Sequence, residues 1–97
     1  MEFLVRIEVR LPPDMPDERR RTLLAAESER GRQLIDAGLL RRIWRVPGRL
    51  ANVSLYEAPD ATAVHAAISS LPLWPWISAT VEPLAVHPLE EGRAPGA

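Results

Sequence analysis

Residues 17–38 read DERRRTLLAAESERGRQLIDAG, and their spacing predicts the first helix of the fold. At about 100° per residue, one side of this helix forms an apolar stripe. The stripe consists of Leu23, Leu24, Leu34 and Ile35. Glu27 falls in the middle of it, where an apolar residue is expected. Asp14 or Asp17 is expected to cap the start of the helix, and Gly38 to end it.

The inward position of Glu27 has two interpretations. A carboxylate that faces a core is costly to ionise unless it is paired or hydrogen-bonded. The functional interpretation is a general acid or base in a dry pocket, with a pKa raised by loss of water. The structural interpretation is an ion pair with Arg30 or a strand arginine, or a side chain that reaches solvent past Ala26 and Gly31. Periodicity alone leaves both open.

Composition bounds the class of protein. Ninety-seven residues, 46% of them hydrophobic, predict one domain with a single core. A formal net charge of -1 gives no reason to expect nucleic acid or an anionic membrane as a partner. The absence of cysteine excludes disulfides and thiol chemistry. With neither a signal peptide nor a membrane span predicted, we expect a cytoplasmic protein. So small a chain has little room to enclose a substrate alone, which favours a homo-oligomer.

The other elements follow from alternating apolar residues and from turn signals. Strands are predicted at residues 3–10, 39–46, 50–57 and 78–86, and a second helix at 60–70. Pro47-Gly48 predicts a tight turn, so the second and third strands should form a hairpin. The domain is expected to span residues 1–89, and residues 90–97 are predicted to be a disordered tail.

The resulting order, β-α-β-β-α-β, predicts an α+β fold of the ferredoxin-like type. In this arrangement two helices cover one face of a four-stranded antiparallel sheet. The other face is expected to carry apolar residues from every strand. Two subunits would then pack sheet against sheet, which predicts an obligate dimer or a larger ring built from dimers.

Several familiar kinds of site are not predicted. The glycines at 31, 38 and 48 are isolated, so no phosphate-binding loop is expected. His65 and His87 have no histidine or carboxylate neighbours at metal-ligand spacing, so no metal site is predicted. Ser54 lacks the glycine context of a nucleophilic serine.

A polar row on the third predicted strand is a candidate binding surface. Asn52, Ser54 and Tyr56 share one face of this strand, opposite Ala51, Val53 and Leu55. Such a row would donate hydrogen bonds to a ligand carbonyl or carboxylate. The alternative is a row that faces solvent or a subunit interface.

Arginines and tryptophans give weaker indications. The arginines of the hairpin are Arg41, Arg42, Arg45 and Arg49. Arginine binds carboxylates through two hydrogen bonds, so a cluster near Glu27 would suit an anionic organic acid. The tryptophans are Trp44, Trp74 and Trp76, which pack in cores or interfaces more often than they stack on substrates.

Together these residues resemble the muconolactone delta-isomerase family. The matching segments are Leu11-Pro12 with Asp14-Met15, Glu27 and Glu29, Gly38, Trp44-Arg45 followed by Gly48, Asn52 with Ser54, Leu71-Pro72-Leu73 with Pro75, and His87-Pro88. They span residues 3–88. The resemblance implies a ferredoxin-like fold, a decamer built from dimers, and an enzyme without cofactor or metal.

The resemblance also implies an activity, the allylic proton shift that converts muconolactone to the 3-oxoadipate enol-lactone. Glu27 is the predicted base, and His87 is a second candidate for acid or base. Arg45 would anchor the carboxymethyl group of the substrate, while Asn52 and Ser54 would polarise the lactone carbonyl. The full predicted substrate-binding set is Trp44, Arg45, Asn52 and Ser54.

Other functions fit the same fold. Ferredoxin-like dimers of this size include cofactor-free monooxygenases, which would need a cavity lined by aromatic residues such as the three tryptophans. They also include small-ligand binders without catalytic activity. A related isomerase or cyclase that acts on another lactone is a further alternative.

Overall fold

The predicted order of elements is found in the computed structural model, which describes residues 1–93. The elements are β1 (Glu2–Val9), α1 (Asp17–Asp36), β2 (Leu40–Arg45), β3 (Ala51–Glu57), α2 (Ala61–Ser69) and β4 (Ile77–Leu84). Two short 3-10 helices follow α2 and β4, at Trp74–Trp76 and Pro88–Gly92. The predicted tail thus begins in a helical turn, and its residues 94–97 lie outside the described residues.

The four strands form one antiparallel sheet in the order β2-β3-β1-β4, which is the ferredoxin-like order. β1 lies between β3 and β4, with Val5 opposite Ser54 on one side and Val81 on the other. The hairpin of β2 and β3 turns at Gly48, whose φ of 77° suits a residue without a side chain. The sheet therefore places the hairpin at one edge and β4 at the other.

The core lies between one face of the sheet and the two helices. Phe3, Val5 and Ile7 of β1 are at most 3% exposed, and they belong to the same cluster as Leu34 of α1. From α2 the cluster receives Val64, Ala67 and Ile68. Because residues opposite one another in the sheet share a face, Asn52, Ser54 and Tyr56 also lie on this helix-covered side.

The uncovered face of the sheet is apolar only in part. Leu4 pairs with Leu55 on β3, but on β4 it pairs with Glu82, which lies two residues from Thr80. β4 therefore presents polar side chains on this face, while its apolar Val81 faces the helices. Leu84, which lies opposite Glu2, is the one apolar side chain that β4 adds to this face. Every strand thus contributes at least one apolar residue here, as predicted, but the other β4 residues on this face are polar.

The two ends of α1 differ in how they are stabilised. At the start, Pro16 occupies the capping position and no side chain within residues 1–93 caps the helix, so the predicted Asp14 or Asp17 cap was wrong. Asp17 instead lies in the first turn, where its charge is favoured by the helix dipole. At the end, the amides of Gly38 and Leu39 donate to the carbonyls of Ile35 and Leu34 at 2.9 and 3.0 Å. Gly38 has a φ of 78°, so this termination requires a glycine.

α2 begins where the sequence predicted. The side chain of Asp60 caps it by accepting a hydrogen bond from the Ala63 amide at 2.9 Å. No helix among residues 1–93 is both long enough and apolar enough to cross a membrane.

Two glycine substitutions, one within α1 and one just after its end, should have opposite effects on stability. Gly38→Ala should lower the free energy of unfolding by about 1 kcal/mol, because alanine is strained at positive φ. Gly31→Ala should raise it by roughly 0.5–1 kcal/mol, because residue 31 is helical and a Cβ there meets no atom within 4 Å. Urea unfolding followed by circular dichroism measures both. Effects of the same sign would contradict this account of the helix end.

Candidate active site

A cavity of about 620 Å³ lies between α1 and the helix-covered side of the β2–β3 hairpin. Four predicted site residues line it together: Glu27, Arg45, Asn52 and Ser54. Its remaining wall is mainly apolar and includes Leu24, Leu34, Leu71 and Leu73. An apolar cavity with a few converging polar groups is the usual form of a small-molecule site.

Glu27 is held in this cavity by the turn that follows α2. The turn closes when the Trp74 amide donates to the Leu71 carbonyl at 2.9 Å, with Pro72 at its second position. The Leu73 amide, at the third position, is not used by the turn and donates to Glu27 Oε1 at 3.0 Å. Since the Leu73 side chain is only 2% exposed, the amide that orients the carboxylate is itself anchored in the interior.

The surroundings make Glu27 a stronger base than an ordinary glutamate. Burial raises the pKa of Glu27 above its usual value, and the hydrogen bond from Leu73 lowers it by less. The ion pair considered from the sequence is not formed with Arg30, because that guanidinium donates to Ser70 Oγ and Gln33 Oε1, each at 2.9 Å. No salt bridge within residues 1–93 includes Glu27. A half-buried carboxylate with a raised pKa suits the removal and return of a proton.

The polar row on β3 forms the wall of the cavity on the sheet side. Ser54 is 1% exposed, and its hydroxyl donates to the Val5 carbonyl at 3.4 Å, a long hydrogen bond. Asn52 Oδ1 is buried and has no hydrogen-bond partner within residues 1–93. A buried polar atom of this kind is costly unless a ligand or water satisfies it.

Tyr56 completes the row and was not among the predicted site residues, although the sequence placed it on the same face. Its side chain is 2% exposed and lines the cavity. Burial raises the pKa of Tyr56 to about 12; the charge of Glu27 also raises it, and that of Arg30 lowers it. The alternation of β3 was the signal that would have included Tyr56 in the site.

Arginines give the cavity a positive mouth. Arg45 lies opposite Asn52 in the sheet, and no salt bridge within residues 1–93 includes it. Arg32 also lines the cavity, although it is about 180° from Leu23 around the helix; its Nη1 lies 3.8 Å from Glu29 Oε2. The sequence missed Arg32 because a long side chain reaches the mouth from the edge of the helix. A carboxylate ligand would meet favourable charge here.

Two predicted site residues lie outside this cavity in the single chain. Trp44 pairs with Val53, which places it on the uncovered face of the sheet, and its side chain is 52% exposed. His87 precedes the second 3-10 helix and is exposed, and its Nδ1 accepts a hydrogen bond from the Leu89 amide at 3.1 Å. The structure therefore brings together Glu27, Arg45, Asn52 and Ser54, but not Trp44 or His87.

A second cavity, of about 650 Å³, lies between α2 and β4 and contains none of the predicted site residues. Its walls are mostly apolar, and the rings of His65 and Trp74 lie perpendicular to each other there with centres 5.8 Å apart. Within residues 1–93 no group of three or more histidine, aspartate or glutamate side chains is arranged to hold a metal ion. The chemistry-bearing residues are thus concentrated in the cavity beside Glu27.

Comparison with known proteins gives the same family that the sequence resembles. The sequence model of the family described as muconolactone delta-isomerase matches residues 1–90. Muconolactone Delta-isomerase of Pseudomonas aeruginosa is 36% identical over 88 residues, covering 91% of this chain and 92% of that protein. The enzyme of the same name from Cupriavidus pinatubonensis is 38% identical, covering 91% of this chain and 96% of that protein.

Solved structures extend the likeness to the fold. A crystal structure of muconolactone isomerase superposes with a TM-score of 0.85 at 36% identity, covering 91% of this chain and 92% of that one. The dehydrochlorinase of 5-chloro-2-hydroxyhydroquinone from Burkholderia phenoliruptrix superposes with a TM-score of 0.62 at 18% identity, covering 88% and 94%. The second likeness concerns the fold alone.

The raised pKa of Glu27 has a consequence for stability. Between the unfolded and folded pKa values the folded protein binds more protons than the unfolded chain, so stability falls as pH rises through that window. Glu27→Gln removes this ionisation. The free energy of unfolding of the variant, relative to the parent, should therefore be higher at pH 7 than at pH 4. Urea unfolding at both pH values and equal protein concentration measures this difference between variant and parent. A smaller difference at pH 7 than at pH 4 would refute the raised pKa of Glu27.

Proposed function

The chain belongs to the muconolactone delta-isomerase family, and we propose that it converts muconolactone to the 3-oxoadipate enol-lactone by an allylic proton shift. The relatives identify the chain as an isomerase. The observation that supports this substrate is the half-buried Glu27 in a cavity with Arg45 at its mouth. The reaction needs a base, and the substrate has one carboxylate to anchor.

In the proposed reaction, ionised Glu27 removes the proton from the ring carbon that bears the carboxymethyl group. The electron pair of that bond forms the new double bond, the old double bond shifts, and negative charge develops on the lactone carbonyl oxygen. Protonated Glu27 then returns the proton to the ring carbon beside the carbonyl, and the carbonyl is restored. Each step is a proton transfer that one carboxyl group performs, so we assign no cofactor. The partly dry cavity keeps the proton from being lost to water.

Binding is assigned to the mouth and to the sheet-side wall of the cavity. Arg45 would hold the carboxymethyl group through charge-assisted hydrogen bonds. Asn52 and Ser54 were predicted to polarise the lactone carbonyl, but the Ser54 hydroxyl donates to Val5. Asn52 lies opposite Arg45 and so at the carboxylate end of the wall. The proton transfers are assigned to Glu27 alone, since His87 lies outside the cavity of its own chain.

The other candidate functions have less support. A monooxygenase of this fold was expected to have an aromatic-lined cavity, but Trp44, Trp74 and Trp76 do not line the cavity that holds Glu27. A binder without activity would not need a carboxylate that is held in place and made more basic by burial. The isomerase is therefore the function that the described geometry supports best.

Association of subunits is part of the proposal. Large apolar side chains are exposed in the single chain, among them Trp44 at 52%, Val86 at 76% and Leu89 at 80%. Covering them would be favourable, so a homo-oligomer, either a dimer or a decamer, remains our prediction. A cytoplasmic location also remains a prediction.

The first test replaces the proposed base. Glu27→Gln should lower kcat for muconolactone by about 100-fold or more, because the amide retains the shape of the side chain but cannot take the proton. The loss is measured by the ultraviolet change as muconolactone is converted to the enol-lactone by the parent and the variant.

Glu18→Gln is the matched control, because Glu18 is an exposed residue of the same helix, lies outside the cavity and belongs to no salt bridge within residues 1–93. It should keep the parent rate. Light scattering after gel filtration would give the mass of the assembly, which must be equal in all three proteins. A folded Glu27→Gln variant with the parent rate would refute Glu27 as the base.

A second test concerns the anchor for the substrate carboxylate. Arg45→Gln should raise KM by roughly 10- to 100-fold and change kcat less, because a charge-assisted hydrogen bond contributes about 1.5–3 kcal/mol. Steady-state kinetics at fixed ionic strength measure the two constants separately. Arg21→Gln removes an exposed arginine of α1 outside the cavity and should leave both unchanged. An unchanged KM in the Arg45 variant would refute the anchoring role.

A further inference from the structure

The hydroxyl of Tyr56 is a buried polar group for which the family resemblance suggested no role. It belongs to the only tyrosine of the chain. Its ring is packed in the core, opposite Phe3 and Leu40 in the sheet. No hydrogen bond within residues 1–93 includes the hydroxyl. Two side-chain polar atoms in this part of the chain are fully buried without a hydrogen-bond partner, Arg20 Nε and Asn52 Oδ1, and the Tyr56 hydroxyl is not one of them. The small exposed part of this side chain therefore includes the hydroxyl, and Tyr56 is one of the residues that line the cavity.

This hydroxyl is a proton donor at any pH at which the protein would work. Burial raises the pKa of Tyr56 to about 12, and the negative charge of Glu27 acts in the same direction. A neutral phenol donates one hydrogen bond and cannot compete with Glu27 as a base. Because its surroundings are dry, a hydrogen bond from it to a charged oxygen would be stronger than in water.

The order of groups along β3 gives the site a direction. Arg45 and Asn52 lie opposite each other near one end of the row, and Tyr56 lies four residues further, about 13 Å along the strand. In muconolactone the carbonyl and the carboxymethyl group leave the ring on opposite sides of the ring oxygen. A substrate with its carboxylate at Arg45 and its long axis along the row would direct its carbonyl oxygen toward the Tyr56 end.

The two other polar residues of the row are less suited to this oxygen. Ser54 already donates its proton to the Val5 carbonyl. Asn52 lies at the end of the row next to Arg45. The Tyr56 hydroxyl donates to no acceptor within residues 1–93, and it belongs to the residue of the row that is farthest from Arg45.

We propose that Tyr56 is a catalytic residue that donates a hydrogen bond to the lactone carbonyl oxygen. This inference rests on the proposed function. As Glu27 removes the ring proton, the electron pair moves onto the carbonyl oxygen, and the Tyr56 hydroxyl stabilises the charge without giving up its proton. When Glu27 returns the proton to the carbon beside the carbonyl, the oxygen becomes neutral again. No other reactant is needed.

The kinetic test is Tyr56→Phe, which removes one oxygen and keeps the ring in the core. It should lower kcat for muconolactone by about 100-fold, with KM changed by less than about threefold, because the lost bond strengthens only as charge develops. Ser69→Ala is the control, since its hydroxyl donates to the Ala66 carbonyl and lies outside the cavity. It should retain the parent constants.

An infrared measurement tests contact with the carbonyl directly. Muconolactone labelled with carbon-13 at the carbonyl would be bound to Glu27→Gln, in which turnover is slow. The carbonyl stretch should lie at lower frequency in this complex than in the double variant Glu27→Gln/Tyr56→Phe. Because the chain has one tyrosine, biosynthetic incorporation of a fluorinated tyrosine changes this phenol alone. The more acidic phenol should lower the frequency further, and this arm does not depend on the folding of Tyr56→Phe.

The outcomes separate the two proposals. A parent protein that does not convert muconolactone would overturn the proposed function, and with it the role of Tyr56. An active parent with a Tyr56→Phe variant within twofold of its kcat would overturn only the role of Tyr56. A third outcome would also overturn the role of Tyr56. It is a large loss of kcat in Tyr56→Phe while the carbonyl frequency is unchanged both by this substitution and by the fluorinated tyrosine. Tyr56 would then act through the packing of the core.

Discussion

The hydrogen bond from the Leu73 amide to Glu27 Oε1 is the contact on which the site depends. It joins the middle of α1 to the turn after α2, two segments 46 residues apart. A neutral amide donor holds the carboxylate without supplying a full positive charge. An arginine in its place would lower the pKa of Glu27 and weaken the base, whereas no donor would leave the pKa raised by burial alone. The observed partner holds the group in position and leaves it basic.

The cavity exists because one side of the sheet carries two kinds of residue. Phe3, Val5 and Ile7 of β1 are apolar and buried beneath the helices. The neighbouring strand β3 turns a polar row to the same side, and α1 does not close over it. Gly31 contributes to the opening, because the position where its Cβ would lie meets nothing within 4 Å. The same face of the sheet therefore supplies both the core and the wall of the site.

Periodicity predicted the features that depend on local sequence. The elements begin and end within about two residues of their predicted limits, and Gly38 ends α1 as expected. The inward position of Glu27 follows from its angle on the helix. The hydrogen-bond partner of Glu27, the Leu73 amide, could not be predicted. Nearly every residue has a backbone amide, and the Leu73 amide is free to donate only because of the turn at Pro72. Likewise, which face Trp44 occupies depends on the irregular register between Leu40 and Arg42, which no local pattern reveals.

The charges in the cavity suit the proposed reaction, in which one negative charge moves but is not created. Before the proton transfer the charge lies on Glu27, and it raises the pKa of the Tyr56 hydroxyl. After the transfer Glu27 is neutral, and the charge lies on the substrate oxygen. The total charge in the cavity is the same in both states, so the surrounding dipoles need little reorganisation. In the proposed reaction Arg45, at the mouth, would bind a substrate carboxylate that keeps its charge throughout. In this proposal the charge that holds the substrate is separate from the charge that moves during catalysis.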